Sequence, residues 1–310
     1  LVLVAPVVVA VAGFYAYSGS AAATGKKVGI VHLGSLEDKG FQPAIEEIIA
    51  KQNPPKVGLV IFPEYSHLFE EESTKQQDLQ LVNSLLDSKD GRVITTRSVA
   101  QDGKETNAIV MLAPDSAEVS RQGKTFLIPG GEYIPYLYKA ILIASANYEF
   151  IKHHEGENTV YQSKTPIQPL EIGGTKYGVL ACSGVIAPEF YRDLVNKNAN
   201  VLVNSASLST MGMGREFFGQ AFQMARFQAV ANSRTMIQSA RGKQSFVMNS
   251  NGVITAQNPT ENTGYFVAEI KPENRKTVYS ILGEWVVAVS ALALVVLLLN
   301  KYKKSCNAIL

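Results

Sequence analysis

The hydrophobic and polar positions follow one pattern at the two ends of the chain and another in the middle. Residues 1–17 form an apolar run without charge, and the first charged residue is Lys26. A second apolar run leads up to Asn300. Between these runs, short β-branched segments alternate with segments of helical periodicity. This alternation is typical of an α/β domain built from packed layers.

The middle of the chain predicts a series of strands, several helices and one loop. The segment Val57–Phe62 is apolar throughout, which is expected of a strand buried on both faces. Strands are predicted at 27–32, 57–62, 92–100, 108–113, 117–122, 176–182, 201–204, 235–240, 245–249, 253–255 and 264–270. Helices are predicted at 44–51, 75–86, 188–197 and 214–232. The polar stretch 153–165 predicts an exposed loop.

The two apolar runs predict membrane helices at 1–20 and 281–300, because about 20 apolar residues span the hydrocarbon core of a bilayer. For the first run, a cleaved signal peptide is the alternative, since Ala21–Ala23 resembles a cleavage site. For the second run, the alternative is a buried core helix. Its saturation with Leu and Val leaves no polar face for a water-soluble helix.

The charge after the second run predicts how the chain is oriented. Lys301, Lys303 and Lys304 form a basic cluster, and such clusters mark the cytoplasmic side of a membrane helix. Residues 301–310 are therefore predicted to be a cytoplasmic tail. The domain at 26–275 is predicted to lie on the extracytoplasmic side.

Composition changes this picture little. The 310 residues include 29 Lys and Arg and 27 Asp and Glu, a net charge of +2, which gives no electrostatic case for nucleic acid as a partner. Hydrophobic residues make up 46% and charged residues 18%, which excludes an intrinsically disordered chain. The mean hydropathy of +0.04 agrees with part of the chain lying in lipid. Two cysteines cannot build a disulfide framework.

Three polar residues of different chemistry each follow a predicted strand. Glu64 follows Val57–Pro63, Lys124 follows the strand at 117–122, and Cys182 ends the strand at 176–182. In open α/β sheets, sites collect at the carboxyl ends of strands. A thiol, a carboxylate and an ammonium together suit covalent acyl transfer. Each residue considered alone also has a purely structural interpretation. Cys182 would be a packed core residue, Glu64 part of a turn and Lys124 a solvated side chain.

The segments that contain Glu64, Lys124 and Cys182, in this order along the chain, resemble the corresponding segments of the nitrilase (carbon–nitrogen hydrolase) superfamily. Within it, the chain is similar to the apolipoprotein N-acyltransferases. The segment Lys124–Pro135 is similar to that family's lysine segment, where a second Glu follows eight residues later. The resemblance extends to two further segments. One is Phe222–Ala229, which is followed by Arg234, and the other is Gly283–Trp285.

The resemblance implies an αββα sandwich and a Glu-Lys-Cys triad. By it, Glu64 is the general base, Lys124 stabilises the oxyanion and Cys182 is the nucleophile. Glu132 is implied as an accessory acid next to Lys124. The backbone N–H of Ser183 is implied to complete the oxyanion hole.

The chain also departs from the family pattern. Ser183-Gly184 stands where the family has an aromatic residue and a Glu after its Cys. Asn204-Ser205-Ala206-Ser207 stands where the family has Asn, Asp or Gly, Trp and Phe. The family also has more membrane helices than the two predicted here.

The function implied is a membrane N-acyltransferase with a phospholipid donor and a lipoprotein acceptor. A membrane-tethered amidase and an inactive nitrilase-like binding module are the alternatives.

No cofactor and no metal are predicted, because His67, His153 and His154 lack metal-ligand spacing. Gly130-Gly131 favours a turn over a phosphate loop. Met211–Gly214 is either a mobile apolar loop or core filling.

Overall fold

A computed structural model describes residues 24–34, 41–101, 104–157, 162–163, 166–208, 215–258 and 260–307. The predicted membrane helix at 1–20 lies outside the described residues, as does Met211–Gly214.

Two six-stranded sheets form the centre of the domain. The first sheet has the order β12-β1-β2-β3-β4-β5, and the second has the order β11-β10-β9-β8-β7-β6. Each sheet has three adjacent parallel strands, β1–β3 and β7–β9, and its other strands pair antiparallel. The strands are β1 Lys26–His32, β2 Leu59–Ile61, β3 Arg92–Gln101, β4 Lys104–Leu112, β5 Glu118–Gly123, β6 Leu170–Ile172, β7 Thr175–Ala181, β8 Val201–Ser207, β9 Thr235–Arg241, β10 Phe246–Met248, β11 Ile254–Gln257 and β12 Gly264–Ile270.

The central strands are apolar throughout because both of their faces are covered. In β2, Leu59 and Ile61 face the core between the sheets, whereas Val60 faces the helices outside. Successive side chains of a strand point to opposite faces, so one continuous apolar run supplies two packing surfaces.

One pair of helices covers each outer face. Helices α1 Gln42–Gln52 and α2 Lys75–Leu85 pack on the first sheet. Helices α5 Pro188–Asn196 and α6 Arg215–Asn232 pack on the second. The layers run helix, sheet, sheet, helix, and this arrangement confirms the predicted αββα sandwich.

A helical hairpin that the hydrophobic pattern did not predict projects beyond these layers. It consists of α3 Tyr136–Ala144 and α4 Tyr148–Glu157. The predicted loop at 153–165 is therefore wrong over 153–157. A small core of Ile134, Leu142 and Ile151 holds the hairpin together, and Lys139 pairs with Glu155. Apolar residues surround α3 on nearly all sides and most of them face outward, so its hydrophobic pattern separates no buried face from an exposed one.

The C-terminal apolar segment forms two helices where one was predicted. Helix α7 Val278–Leu282 ends at Gly283, which has a φ of 60°, and α8 Trp285–Asn307 follows. The φ of 60° and ψ of −131° at Gly283 are strained for a residue with a Cβ, which favours glycine at this break. Among the described residues, no helix combines the length and the apolar character that crossing a membrane requires.

Candidate active site

The ends of three strands bring Glu64, Lys124 and Cys182 to one place. Glu64 follows β2 and Lys124 follows β5, so the first sheet supplies both charged groups. Cys182 follows β7 of the second sheet. All three are nearly inaccessible to solvent, with exposed fractions of 0%, 3% and 6% in that order. The site is thus assembled across the interface between the sheets.

Lys124 lies between two carboxylates. Its Nζ is 3.0 Å from Oε1 of Glu64, and it also donates to Oε1 of Glu132. Burial alone would lower the pKa of Lys124, but nearby anionic groups, Glu64 first among them, raise this pKa above its usual range. The ammonium therefore stays charged at every physiological pH. The backbone is fixed on both sides, since Lys124 N–H donates to Asn107 O and Lys124 O accepts from Ser163 N–H.

Glu64 is held by donors from two other strands. Asn107 on β4 donates from Nδ2 to Oε1 of Glu64 at 2.6 Å. The backbone N–H of Ser207, at the end of β8, donates to Oε2 at 3.3 Å. Neither contact was predicted from the sequence. Asn107 stands just before the predicted strand at 108–113 and carries no signal of its own, and the predicted strand at 201–204 stopped three residues short of Ser207.

Cys182 begins a short 3-10 turn, Cys182–Ile186, directly after β7. Its φ of 39° lies in the left-handed region, where a residue with a Cβ is strained. Its Sγ donates to Ser207 O at 3.5 Å. Glu64 and Cys182 therefore both contact the backbone of Ser207.

Two effects keep the thiol protonated at rest. Burial, and after it the charge of Glu64, raise the pKa of Cys182 above its usual range, and the charge of Lys124 opposes them only in part. Any reaction through this sulfur therefore first requires a base that takes the proton from the thiol. The first N–H groups of the turn, including that of Ser183, have no carbonyl within the turn to pair with.

The turn also explains one departure from the expected pattern. A Cβ on Gly184 would lie 2.6 Å from Cβ of Leu180, closer than packed atoms approach. The neighbouring atom is the root of a side chain and cannot swing away. The acid that the resemblance leads one to expect at this position has no room here.

A tight turn returns Glu132 to Lys124, as the Pro-Gly-Gly sequence predicts. Gly130 has a φ of 81°, and the N–H groups of Gly131 and Glu132 both bond to Ile128 O. Oε2 of Glu132 accepts from Ile128 N–H at 2.9 Å, which leaves Oε1 directed at Lys124. The carboxylate is thereby fixed at both oxygens.

Tyr65 is a further side chain of the site that sequence reasoning missed. Burial, and then the charge of Glu64, raise the pKa of its phenol above the usual range. Its backbone is fixed by bonds from its N–H to Thr96 Oγ1 and from Nη2 of Arg241 to its carbonyl. Being next to Glu64 in the sequence was the only available hint.

Within the described part of the chain, no group of three or more His, Cys, Asp and Glu side chains is arranged to hold a metal ion. His67 pairs with Glu70, and His154 stacks on Phe150 in α4.

The family model described as carbon–nitrogen hydrolase matches residues 27–279, which includes both sheets and all three strand-end residues. The chain belongs to the carbon–nitrogen hydrolase family. The match ends inside α7, before the apolar helix α8.

The curated relatives of this chain are all named as apolipoprotein N-acyltransferases. This chain is 26% identical over 265 residues to the apolipoprotein N-acyltransferase of Borreliella burgdorferi, a match that covers 81% of this chain and 49% of the relative. It is 24% identical over 229 residues to the apolipoprotein N-acyltransferase of Geobacter metallireducens, covering 73% and 42% respectively. The chain thus spans about half the length of the curated relatives it matches.

Several solved structures share the fold of this chain. Saccharomyces cerevisiae Nit3, of the nitrilase superfamily, aligns with a TM-score of 0.56 at 19% identity and covers 82% of this chain and 93% of its own. An amidase from Nesterenkonia sp. aligns with a TM-score of 0.56 at 14% identity, covering 83% and 95%. A variant of that amidase carries an acetamide moiety on its active-site cysteine and aligns with a TM-score of 0.54 at 14% identity, covering 82% and 94%.

Proposed function

We propose that this chain is the catalytic part of a membrane N-acyltransferase. An acyl chain moves from a phospholipid to Cys182 and then to the lipid-modified N-terminal cysteine of a lipoprotein. The observation that carries the proposal is the apolar hairpin beside the site. The curated relatives support it by their name, and because the chain spans half their length, the complete reaction belongs to the proposal.

Helix α3 begins four residues after Glu132 and presents large apolar side chains to its surroundings. Tyr136 is 92% exposed and Leu137 is 77% exposed, and Ile141 and Ile143 are exposed as well. Exposed apolar patches mark surfaces that meet a partner or a lipid. A small water-soluble amide needs no such approach to the site, whereas two acylated substrates do.

The contacts suit a first half-reaction that acylates the thiol. Glu64 takes the proton of Cys182 while Sγ attacks the ester carbonyl carbon of the phospholipid. The ammonium of Lys124 and the N–H of Ser183 stabilise the oxyanion that develops. The ester C–O bond then breaks, and Glu64 returns the proton to the departing lysophospholipid alcohol. The acyl group remains on Sγ as a thioester.

The second half-reaction forms the amide. The α-amino group of the lipoprotein cysteine attacks the thioester carbonyl, and Glu64 accepts a proton from this amine. The C–S bond breaks, and the proton passes to sulfur, which restores the thiol of Cys182. Glu132 holds Lys124 in place for both steps.

Membrane attachment and an extracytoplasmic site are part of the same proposal. Aliphatic side chains are exposed along α8, among them Leu292 and Leu297. With the basic residues of 301–304 on the cytoplasmic side, a reporter fused after Lys304 is expected to be cytoplasmic. A tag near Gly156 is expected to be accessible from outside. Finding both on the same side of an uncleaved chain would refute this orientation.

A second candidate is a membrane-tethered amidase that hydrolyses a small amide. It is favoured by the low exposure of Cys182, 6%, because a nearly enclosed thiol admits small molecules most easily. The inactive binding module is the third reading, and Gly184, in place of the acid expected there, is its support.

Intact-mass analysis separates the three readings. The protein is incubated with phospholipid vesicles, alone and with a small aliphatic amide, and Cys182→Ala is the control. A gain of one acyl chain on Cys182 supports the acyltransferase. Amide hydrolysis without an acyl adduct supports the amidase and refutes our proposal. A folded protein that does neither is the inactive module, and this result also refutes the proposal.

A further inference from the structure

Serine occupies three of the positions at which the chain departs from the pattern of the family it resembles, and two of these serines bond through their hydroxyls to the segments of Lys124 and Glu64. One is Ser183, directly after the nucleophile, and the other is Ser205, within Asn204–Ser207. Both are buried, with exposed fractions of 4% and 0%. The roles proposed above for Glu64, Lys124 and Cys182 do not use either hydroxyl.

The hydroxyl of Ser183 bonds the nucleophile turn to the lysine segment. Its Oγ donates to Phe126 O at 2.7 Å, and Phe126 lies two residues after Lys124. The ring of Phe126 packs edge-on against Phe190 of α5, which fixes the course of this segment. One hydrogen bond thus joins the neighbour of Cys182 to the stretch that carries Lys124.

The hydroxyl of Ser205 makes the equivalent contact to the glutamate segment. Its Oγ donates to Phe62 O at 2.9 Å, and Phe62 lies two residues before Glu64. Two residues further along β8, the backbone of Ser207 contacts both Glu64 and Cys182. The end of β8 therefore fixes the base and the thiol relative to one another.

We propose that Ser183 and Ser205 are positioning residues that hold Lys124 and Glu64 against Cys182 across the interface between the two sheets. The inference rests on the proposed roles of Glu64 and Lys124. Each hydroxyl acts on the main chain two residues from the charged group, so its loss leaves every reacting atom present but free to shift. A misplacement of about 1 Å costs about 10²-fold in rate.

The chain contains a matched control in Ser239 on β9. Its hydroxyl is equally buried and also crosses between the sheets, donating to Val31 O at 2.7 Å and to Ile61 O at 3.2 Å. Its shorter bond goes to β1, which carries none of the reacting groups. Ser239→Ala therefore removes the same kind of contact without loosening Glu64 or Lys124 directly.

The test compares Ser183→Ala, Ser205→Ala and Ser239→Ala in three measurements on the whole chain. These are the urea unfolding midpoint, the rate at which iodoacetamide alkylates the Cys182 peptide as a function of pH, and single-turnover acylation at saturating phospholipid. We expect similar midpoints for all three variants. Acylation should fall about 10-fold or more for Ser183→Ala and Ser205→Ala only.

Alkylation distinguishes the two serines. It forms no oxyanion but requires loss of the thiol proton, so Ser205→Ala should slow it and change its pH profile. Ser183→Ala should impair acylation far more than alkylation. Ser183→Thr and Ser205→Thr keep the hydroxyl and should recover most of the lost rate.

Equal kinetics for all three alanine variants would overturn the inference, because the hydroxyls would then contribute to stability alone. A failure of the proposed function looks different. In that case the wild type forms no acyl adduct, while alkylation of Cys182 still compares Ser205→Ala with Ser239→Ala. Identical alkylation profiles in that comparison would remove the positioning role of Ser205.

Discussion

Replacing Lys124 with methionine tests the proposed charge arrangement most directly. Methionine keeps the length and apolar stem of lysine but removes the ammonium, which is 3.0 Å from Oε1 of Glu64. At an effective dielectric constant of about 20, the attraction between unit charges at this distance is about 5–6 kcal/mol. Desolvation offsets part of it, and removing one partner of a buried ion pair costs about 3–5 kcal/mol of folding free energy.

The same change affects catalysis through two routes. Loss of one oxyanion donor lowers a rate by about 10²–10³. The substitution also leaves the carboxylates of Glu64 and Glu132 without the cation between them, so the position of Glu64 relative to Cys182 is less fixed. We therefore expect single-turnover acylation by Lys124→Met to fall by about 10² or more.

Glu132→Gln is the control for charge at the same site. Its side chain keeps the shape, but its single carbonyl oxygen can accept from Ile128 N–H or from Lys124, not from both. Leaving one buried group unsatisfied costs about 1–3 kcal/mol, so the rate should fall less than in Lys124→Met. The reasoning fails if Glu132→Gln is as damaging as Lys124→Met while Glu64→Gln stays active. That result would make Glu132 the base.

Three further predictions concern the nucleophile and its turn. Cys182→Ala should abolish the acyl adduct while far-UV circular dichroism stays native, and near-normal turnover would show that another group is the nucleophile. Because the folded-state pKa of Cys182 is raised, the unfolded thiol ionises first, and the free energy of unfolding should fall by up to about 1.4 kcal/mol per pH unit above about pH 8.5. When the free energy of unfolding is measured with urea at a series of alkaline pH values, Cys182→Ala should remove this decrease with pH. An unchanged decrease would contradict the raised pKa of Cys182. Gly184→Ala places a Cβ 2.6 Å from Cβ of Leu180 and should destabilise the fold by about 1–3 kcal/mol. Gly219→Ala, in open space on α6, is the control and should not destabilise the fold. Equal unfolding midpoints for the two variants would contradict this packing argument.

The sequence was most informative where one stretch of chain determines both burial and chemistry. Strands buried on both faces read as continuous apolar runs, so Glu64 and Cys182, which follow two such runs, stood out. Lys124 follows the largely polar edge strand β5 and was marked instead by the resemblance of its segment to the family's lysine segment. The carboxyl ends of such strands meet, and the structure does bring these three side chains together. Their catalytic roles stay predictions.

What the sequence could not indicate depends on packing between distant segments. Helix α3 turns its apolar residues outward, so its periodicity points to no core. The predicted strand at 201–204 stops before Ser205, yet the chain continues as β8 to Ser207, whose backbone lies against Glu64 and Cys182. The contact of Asn107 with Glu64 joins strands that are 43 residues apart. No local pattern encodes such a pair.

The pairing of β12 with β1 bears on how the chain is made. β1 lies at the start of the domain sequence, and its pairing partner β12 is synthesised about 240 residues later. At a synthesis rate of about 5–20 residues per second, this delay is on the order of 10–50 s. Until then, a growing chain presents β1 as an open sheet edge, which invites pairing with other chains. Truncation anywhere upstream of Gly264 would make this state permanent. The strand that precedes Glu64, β2, is the direct neighbour of β1, so the first sheet is complete around Glu64 only when nearly the whole domain has been synthesised.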